Sequence, residues 1–275
     1  MTETVRNADQ LAERIADGEL VVMPPDYSFV PMELVRALIR RDAKNLNVLA
    51  APVGGIAIDL LIGAGAVRRL EAAAVSLGEL GAAPRFAAAV RSGDIEMVDS
   101  TCPAIHTALQ AAEKGVPFMP LRGLIGSDIT AHRPDWREID NPMSEPPDPI
   151  VLLPAIRPDV AIIHAPCADA AGNVWIGRRR ELATMAHAAR RTVATVERIE
   201  DGDLLADETQ AAGTLSAVYI EAIAVARRGA WPLGMAGMYD ADTAHLEAYA
   251  REAKDPAGFA RYLETHVRTS AAAAQ

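Results

Sequence analysis

Short apolar runs alternate along this chain with stretches of helical periodicity, and that alternation limits the possible folds more than any other feature. The runs Leu20–Met23 and Leu46–Ala51 are typical of strands that are covered on both faces. Between them, Met32–Arg41 has apolar residues at helical spacing and follows Pro31, a residue that suits the start of a helix. Strands alternating with helices are typical of βαβ units. The sequence therefore predicts an α/β fold with a mainly parallel sheet and helices on both faces.

The segment Thr130–Pro149 breaks this alternation. It holds five prolines and five acidic residues, so we expect a loop or an excursion from the sheet. Its length is unusual for a loop in a compact domain, which favours a lid or an interface segment. The sequence shows no internal repeat and no long linker. We therefore predict one domain over residues 1–275, with a short Ala-rich tail at Thr269–Gln275 that frays.

The charge balance and the hydropathy of the chain argue against several kinds of partner. Lys and Arg total 27 against 37 Asp and Glu, and the net charge of −10 disfavours nucleic acid or an anionic membrane as the main partner. The first residues lack the charged-then-apolar layout of a signal peptide, and no run approaches the roughly 20 apolar residues that span a bilayer. We expect a cytoplasmic protein with no membrane partner.

The two cysteines, Cys102 and Cys167, indicate neither a disulfide framework nor a metal site. They lie far apart in the sequence and form no Cys-x-x-Cys pair. His106 stands four residues after Cys102, but no third ligand is near it in the sequence. We expect two buried structural thiols and no bound metal.

Several binding and catalytic motifs are missing from the sequence. There is no Gly-x-Gly-x-x-Gly and no Gly-x-x-x-x-Gly-Lys-Ser/Thr, which argues against a nicotinamide dinucleotide site and against a P-loop. There is also no Gly-x-Ser-x-Gly nucleophile elbow. The usual sign of a hydrolase triad is therefore absent.

Three glycine-containing turns follow predicted strands, at Val53–Gly55, Ser76–Gly81 and Arg122–Ser127. Turns after parallel strands emerge at one edge of the sheet, where ligands of α/β proteins usually bind. The third turn follows the apolar run Val116–Leu121 and ends in a Ser-Asp pair that could cap a helix. A cation beside free backbone N–H groups suits an anionic ligand. The alternative is a solvated Arg122 in an ordinary turn.

Two other side chains have both a functional and a structural interpretation. Glu79 lies on the second turn and could attack an activated acyl group or act as a base, or it could simply be solvated. His164 ends the apolar run Val160–His164 and could carry a proton, or it could be a buried histidine with a satisfied hydrogen bond.

A family resemblance rests on the order and spacing of several short stretches between about residues 18 and 266. They are Asp59–Val67, Gly115–Pro120, Arg122–Asp128, Ile139–Pro142, Pro154–Ala165, Gly172–Val174, Thr195–Ile199 and Gly237–Asp240. With these stretches the chain resembles the A subunit of two-subunit, family I coenzyme A transferases of the glutaconate CoA-transferase type.

This resemblance implies an open α/β fold and an A2B2 assembly whose active site lies between A and B. It implies that a B-subunit glutamate attacks the acyl-CoA, forming an acyl anhydride and then a glutamyl-CoA thioester. Coenzyme A then takes part as the acyl-CoA substrate together with a carboxylic acid, with no tightly bound cofactor. The isolated chain should be inactive.

The resemblance also assigns residues to the site. Substrate and CoA contacts are expected at Gly54, Gly55, Ser76, Arg122, Gly123, Gly126 and Ser127. Arg122 would hold an anion, since a guanidinium offers paired donors to a carboxylate. Glu79-Leu80-Gly81 has the Glu-x-Gly shape of the family's nucleophile turn, but in an A-type chain it is interpreted as pocket wall, with Glu79 at most auxiliary.

Two departures from the family pattern keep other functions open. Met23–Tyr27 replaces the usual Gly-Gly-Phe turn, so the acyl substrate cannot be carried over from a relative. The chain is also similar to CoA-ester hydrolases of steroid-ring degradation, although Thr101-Cys102 provides no carboxylate where their A-type chain has a functional glutamate. A ring-opening or thioester hydrolase is therefore one alternative. A non-catalytic ligand-binding or scaffold subunit is the other.

Overall fold

The structure of the protein is a computed structural model that describes residues 2–269, so most of the tail predicted to fray lies outside the described residues. The strands within this range are β1 (Glu3–Val5), β2 (Leu20–Met23), β3 (Leu46–Ala50), β4 (Val53–Gly54), β5 (Val67–Ala72), β6 (Ala74–Val75), β7 (Glu96–Asp99), β8 (Phe118–Leu121), β9 (Arg137–Asp140), β10 (Pro149–Pro154), β11 (Val160–Asp169), β12 (Val174–Trp175), β13 (Arg191–Glu200), β14 (Thr214–Leu215) and β15 (Ile220–Val225). The helices are α1 (Ala8–Ala12), α2 (Met32–Arg40), α3 (Ile56–Gly63), α4 (Pro84–Ser92), α5 (Cys102–Glu113), α6 (Arg180–Ala188), α7 (Glu208–Ala211), α8 (Thr243–Glu252) and α9 (Pro256–Leu263).

The main sheet has the strand order β1-β15-β13-β11-β2-β3-β5-β7, and every neighbouring pair along this path is parallel. The short strands β12 and β14 extend it by antiparallel pairing beyond β11. The prediction of a mainly parallel α/β sheet is confirmed. The chain runs outward from β2 through β3 and β5 to β7, and then from β11 through β13 to β15 on the other side. The order therefore reverses between β2 and β11, the kind of position where α/β sheets bind ligands.

Both faces of this sheet are covered by helices. Val21 points into a core formed with α1, α2, α3, α8 and α9, while its neighbour Val22 points into a second core formed with α5 and α6. Side chains alternate between faces along a strand, and both faces here need apolar residues. This explains why the central strands appear in the sequence as continuous apolar runs.

A separate three-stranded antiparallel sheet, in the order β8-β10-β9, carries the region predicted to leave the main sheet. The run Val116–Leu121 was expected to be a buried strand of the parallel sheet, and that expectation is wrong. Its strand β8 is an edge strand with half-exposed side chains. Pro117 and Pro120 explain this placement, because proline has no N–H to donate and is tolerated in edge strands. Strand β10 is the central strand of this small sheet, and its Ile150, Val151 and Leu153 are buried.

Arg133 anchors the segment 130–149 to the edge of the main sheet. Its Nη1 donates to Glu71 Oε1 of β5 at 2.8 Å, and its Nε and Nη2 donate to Asp135 at 2.9 and 2.8 Å. The guanidinium also stacks 4.2 Å from the centroid of Trp136. The segment is therefore tied to the main sheet at Arg133, and it contains β9 in place of a structureless loop. Within residues 2–269, no helix combines the length and apolarity needed to cross a bilayer.

Candidate functional site

A cavity of about 350 Å³ lies at the carboxyl edge of the main sheet, beyond the ends of β2, β3 and β5. Its volume is at the low end of the range typical of small-molecule sites. The lining residues are Asp26, Tyr27, Val53, Gly54, Gly55, Ile56, Ala74, Ser76, Leu77, Gly78, Leu80, Leu233, Leu246 and Tyr249. Aliphatic side chains dominate this wall, and none of these residues is lysine, arginine or histidine. We call this space the edge cavity.

The first two predicted turns meet in the edge cavity. The short parallel pair β4 and β6 joins them, with Gly54 opposite Val75, and this brings Gly54, Gly55 and Ser76 to the same wall. Glu79 occupies the single helical turn Gly78–Leu80, where it is exposed and does not line the cavity. Gly54, Gly55 and Ser76 are therefore brought together as the sequence suggested, while Glu79 faces solvent.

Asp26 forms part of the cavity wall and caps α3. Its Oδ2 accepts a hydrogen bond from the Ile56 N–H at 3.0 Å. Its Oδ1 is shielded from solvent, and none of the described residues donates to it. Burial, with a smaller contribution from the neighbouring Asp59, raises the pKa of Asp26 to about 6. A Cβ at Gly55 would lie 1.9 Å from Asp26 Oδ2, so only glycine lets the carboxyl pack against this backbone.

The other polar groups of the edge cavity are engaged with the protein itself. Tyr249 is fully buried and its hydroxyl donates to Asp59 Oδ2 at 2.6 Å. Ser76 Oγ accepts a hydrogen bond from the Gly78 N–H at 3.0 Å. Among the lining residues there is no nucleophile paired with a base, because no histidine or lysine reaches this wall. The cavity can hold a ligand, and none of its lining hydroxyl groups has a histidine or lysine beside it to act as a base.

The third predicted turn lies elsewhere. Arg122 follows β8 of the small sheet and is exposed, and neither it nor Gly123, Gly126 or Ser127 lines the edge cavity. The separation has a physical cause: β8 is antiparallel to β10 and does not belong to the parallel sheet, so its end is not at the main sheet's carboxyl edge. Ser127 does not cap the helical turn that follows, because its hydroxyl donates to the Leu124 carbonyl at 2.9 Å.

Arg122 is already paired with a carboxylate. Its Nε donates to Asp148 Oδ1 at 2.8 Å and its Nη2 donates to Oδ2, which also accepts from Asn141 Nδ2 at 2.7 Å. The hydrogen bonds from Arg122 and Asn141 lower the pKa of Asp148 to about 2. Two of the five guanidinium N–H donors are used in this pair, so the remaining donors can still take an anion.

A buried polar network lies under the loop that follows β2, and sequence reasoning identified only one of its members. His164 is fully buried, with Nδ1 2.8 Å from Thr195 Oγ1 and Nε2 3.0 Å from Glu197 Oε1. Glu197 Oε1 also accepts from the Tyr239 hydroxyl at 2.6 Å and from the Gly229 N–H at 3.1 Å. The structure thus supports the interpretation of His164 as a buried, hydrogen-bonded residue.

The backbone around Glu197 completes its hydrogen bonds. Glu197 Oε2 accepts from the Arg228 N–H at 2.6 Å, and Gly229 packs so closely that an added Cβ would lie 2.5 Å from the His164 ring. Burial alone would raise the pKa of Glu197, but the hydrogen bonds from His164 and Tyr239 outweigh it and lower the pKa. The sequence signal was present, since Glu197 follows the apolar part of β13 and Tyr239 follows a glycine turn, but no pattern joined them.

The cysteines differ from expectation. Cys167 is buried, and burial raises the pKa of its thiol to about 11, as expected for a structural cysteine. Cys102 is exposed at the first turn of α5, so the expectation of two buried thiols is wrong. A proline at the second helical position and the Thr101 cap place the start of this helix at the surface. Across residues 2–269, no group of three His, Cys, Asp or Glu side chains is arranged to hold a metal.

Comparisons with known proteins identify relatives over nearly the whole chain. The family model described as Coenzyme A transferase matches residues 5–226. The chain is 28% identical over 275 residues to the A subunit of 3-oxoadipate CoA-transferase from Pseudomonas knackmussii, covering 98% of this chain and 94% of that protein. It is 31% identical over 250 residues to the cholesterol ring-cleaving hydrolase IpdA subunit of Mycobacterium tuberculosis, covering 86% of this chain and 83% of that one.

The fold has a matching crystal structure. Glutaconate coenzyme A-transferase from Acidaminococcus fermentans superposes with a TM-score of 0.89 at 25% sequence identity, covering 98% of this chain and 90% of that chain. The parallel sheet and its two layers of helices are therefore shared with that protein over almost all of the described residues.

Proposed function

The chain belongs to the coenzyme A transferase family, among its A subunits, and on that premise we propose that it forms half of an enzyme moving CoA between an acyl-CoA and a carboxylic acid. The second half is a B subunit that supplies the nucleophilic glutamate. The observation that carries the proposal is the edge cavity, which is suited to a small ligand but contains no paired nucleophile and base. We assign the reactive carboxylate to the partner, because the one carboxylate on this wall, Asp26, is held against the Ile56 N–H.

In this proposal the two parts of the site have different tasks. Gly54, Gly55 and Ser76 let the backbone of the edge cavity approach the acyl end of the thioester. Arg122, with Gly123, Gly126 and Ser127, forms a second contact area for an anionic part of CoA or of the acid. A guanidinium with free N–H donors suits a phosphate or carboxylate, even while it shares Asp148.

We further propose an A2B2 complex in the cytoplasm, with the chain acting as one domain and without a nucleic-acid or membrane partner. The net charge of −10 supports the exclusion of anionic polymers. Co-expression with the neighbouring reading frame, followed by light scattering on the purified complex, tests the stoichiometry. A monomeric chain that transfers CoA alone would contradict the proposal.

The role of Arg122 is tested in the reconstituted A–B complex. Hydrogen bonds to a charged group are about twice as strong as those between neutral groups, so Arg122→Ala should lower kcat/KM for the CoA ester about 10- to 100-fold. Arg137→Ala is the matched control, because Arg137 is an exposed arginine on the same small sheet. Normal turnover by Arg122→Ala would show that the assignment is wrong.

A second variant separates anion binding from a purely structural ion pair. Asp148→Asn removes the carboxylate that competes for Arg122, so the KM for the CoA ester should fall or stay unchanged. If the pair merely holds the small sheet in place, Asp148→Asn and Arg122→Ala should weaken activity alike.

A hydrolase is the second candidate, since the chain is also 31% identical to a ring-cleaving hydrolase subunit. Trapping distinguishes the two. Borohydride treatment during turnover should reduce a glutamyl-CoA thioester on the B subunit if the complex is a transferase. Net hydrolysis of the acyl-CoA with no such adduct would favour the hydrolase.

A further inference from the structure

The edge cavity has a negative electrostatic character, because it is lined by an acidic residue and by no basic one. Asp26 is the one lining residue whose side chain is an acid, and no lysine, arginine or histidine stands among the residues that line this space. A second acid, Asp59, is fully buried behind it and contributes to the same field. A carboxylate that entered the cavity would meet repulsion from a poorly screened charge, and repulsion of this kind is stronger away from water.

The usual anion-binding feature near this cavity is already occupied by the protein. The N-terminus of α3 lies at the cavity wall, where Gly55 and Ile56 line the space, and helix N-termini attract carboxylates and phosphates. Here Asp26 accepts the Ile56 N–H, and the missing side chain at Gly55 is what lets the carboxyl come so close. The protein's own carboxylate therefore stands where a ligand's carboxylate would otherwise bind.

We propose that the edge cavity takes the uncharged acyl group of a CoA thioester formed from a monocarboxylic acid. Asp26 excludes acyl groups that carry a free carboxylate. This rests on the proposed function, because it names the substrate class of the same site. Asp26 acts as a specificity-determining residue and takes no part in the covalent chemistry. The phosphates of CoA are excluded from the cavity for the same reason, so the thioester enters with its acyl end first.

The size and the aliphatic wall of the cavity further limit which acyl groups can bind there. Val53, Leu77, Leu80, Leu233 and Leu246 give it aliphatic sides, and its volume of about 350 Å³ suits a short chain. Each methylene of such a chain that leaves water for this wall should strengthen binding about fourfold. A terminal carboxylate gives up its hydration on entering and finds no cation in return. A short aliphatic acyl group is thus the ligand that this wall favours.

The test compares two thioesters that differ only at the end of the chain. Pentanoyl-CoA and glutaryl-CoA both carry five-carbon acyl groups, and glutaryl-CoA ends in a carboxylate. With the A–B complex at pH 8 and acetate as acceptor, the wild type should favour pentanoyl-CoA in kcat/KM by about tenfold or more. Asp26→Asn keeps the cap on Ile56 but removes the charge, and it should lower that preference at least about fivefold. Asp26→Ser, which also opens space, should lower it as well.

Asp201→Asn is the matched control, because Asp201 is an exposed aspartate that directly follows β13 at the same edge of the sheet. The ratio of kcat/KM for pentanoyl-CoA to kcat/KM for glutaryl-CoA should be the same in Asp201→Asn as in the wild type. Equal or better use of glutaryl-CoA by the wild type, or an unchanged ratio in both Asp26 variants, would overturn the inference while leaving the transferase intact. If the complex transfers CoA from neither thioester, the proposed function fails, and calorimetric affinities of the two thioesters then decide the inference: tighter or equal binding of glutaryl-CoA overturns it.

Discussion

Asp26 and Glu197 are two carboxylates at the same edge of the same sheet, and the protein holds them in opposite ways. Glu197 receives hydrogen bonds from His164, Tyr239 and two backbone N–H groups, and its pKa is lowered although it is buried. Asp26 receives one, from Ile56, and has an oxygen without a donor and a pKa raised to about 6. The charged Glu197 carboxylate has hydrogen-bond donors on both oxygens, whereas the Asp26 carboxylate has a donor on only one.

The contrast separates a structural acid from a candidate functional one. A buried charge with complete hydrogen bonding stabilises the fold around it, whereas a shielded carboxylate with an unpaired oxygen costs stability. Proteins tend to tolerate that cost at functional sites, where perturbed pKa values cluster. Asp26 meets this description because it lies on the wall of the edge cavity, whereas Glu197 joins the ends of neighbouring strands to the loop after them.

The largest effect on stability is expected from removing the hydrogen-bonded carboxylate of Glu197. Glu197→Ala should lower the free energy of unfolding by about 3–5 kcal/mol, because it leaves four donors without their acceptor in a buried site. Urea denaturation at pH 7.5 measures this. Glu96→Ala is the control, since Glu96 is exposed on β7 and forms one exposed ion pair with Arg69; it should change stability by less than about 1 kcal/mol.

The pH dependence of the Glu197 variant has a definite sign. A lowered pKa means that the stabilisation by Glu197 is present above its ordinary pKa of 4.5 and is lost as the pH falls through the lowered value. The difference between wild type and Glu197→Ala should therefore shrink toward pH 3. A difference that stays constant with pH would show that packing, and not the charge, carries the effect.

Removing the charge of Asp26 should change the free energy of unfolding in the opposite direction, toward greater stability. The pKa of Asp26 is raised from 3.8 to about 6, so its contribution to stability is present below pH 4 and is lost as the pH rises through about 6. Asp26→Asn should therefore stabilise the protein at pH 8 by up to about 3 kcal/mol, with no gain below pH 4. Thermal unfolding monitored by circular dichroism at several pH values measures this. A destabilised Asn variant at pH 8 would contradict the contrast between the two acids.

The sequence was sufficient for the main sheet because its central strands are apolar on both faces. The runs at Leu20, Leu46 and Val160 all became strands of the parallel sheet, and the resemblance to the A subunits of glutaconate-type CoA-transferases is confirmed by the family model and the matching fold. The run before Arg122 forms a strand, but it does not belong to the main sheet. Its prolines at 117 and 120 were visible, but whether an edge strand joins the main sheet or a separate one depends on its partner, β10, which lies about 30 residues further along.

The candidate site was only partly predictable for a similar reason. Gly54, Gly55 and Ser76 follow neighbouring strands, so the sheet rule brings them together. Asp26 was visible only as a departure from a family turn, and its importance depends on where α3 begins. Tyr239 lies 42 residues after Glu197, and nothing local relates the two. Contacts between distant segments are what the sequence patterns do not encode.

The smallest effect is expected from trimming one donor of the Glu197 network. Tyr239→Phe keeps the ring and removes a hydroxyl that donates to Glu197 at 2.6 Å and accepts the Ala230 N–H at 3.1 Å. The expected loss is about 1–2 kcal/mol, because three donors still hold Glu197. Tyr27→Phe, at a tyrosine that is 70% exposed, should leave stability within about 0.5 kcal/mol of the wild type. If both tyrosine variants unfold at the same urea concentration as the wild type, Glu197 does not depend on Tyr239, and the distinction between a satisfied and an unsatisfied acid rests on His164 and the backbone alone.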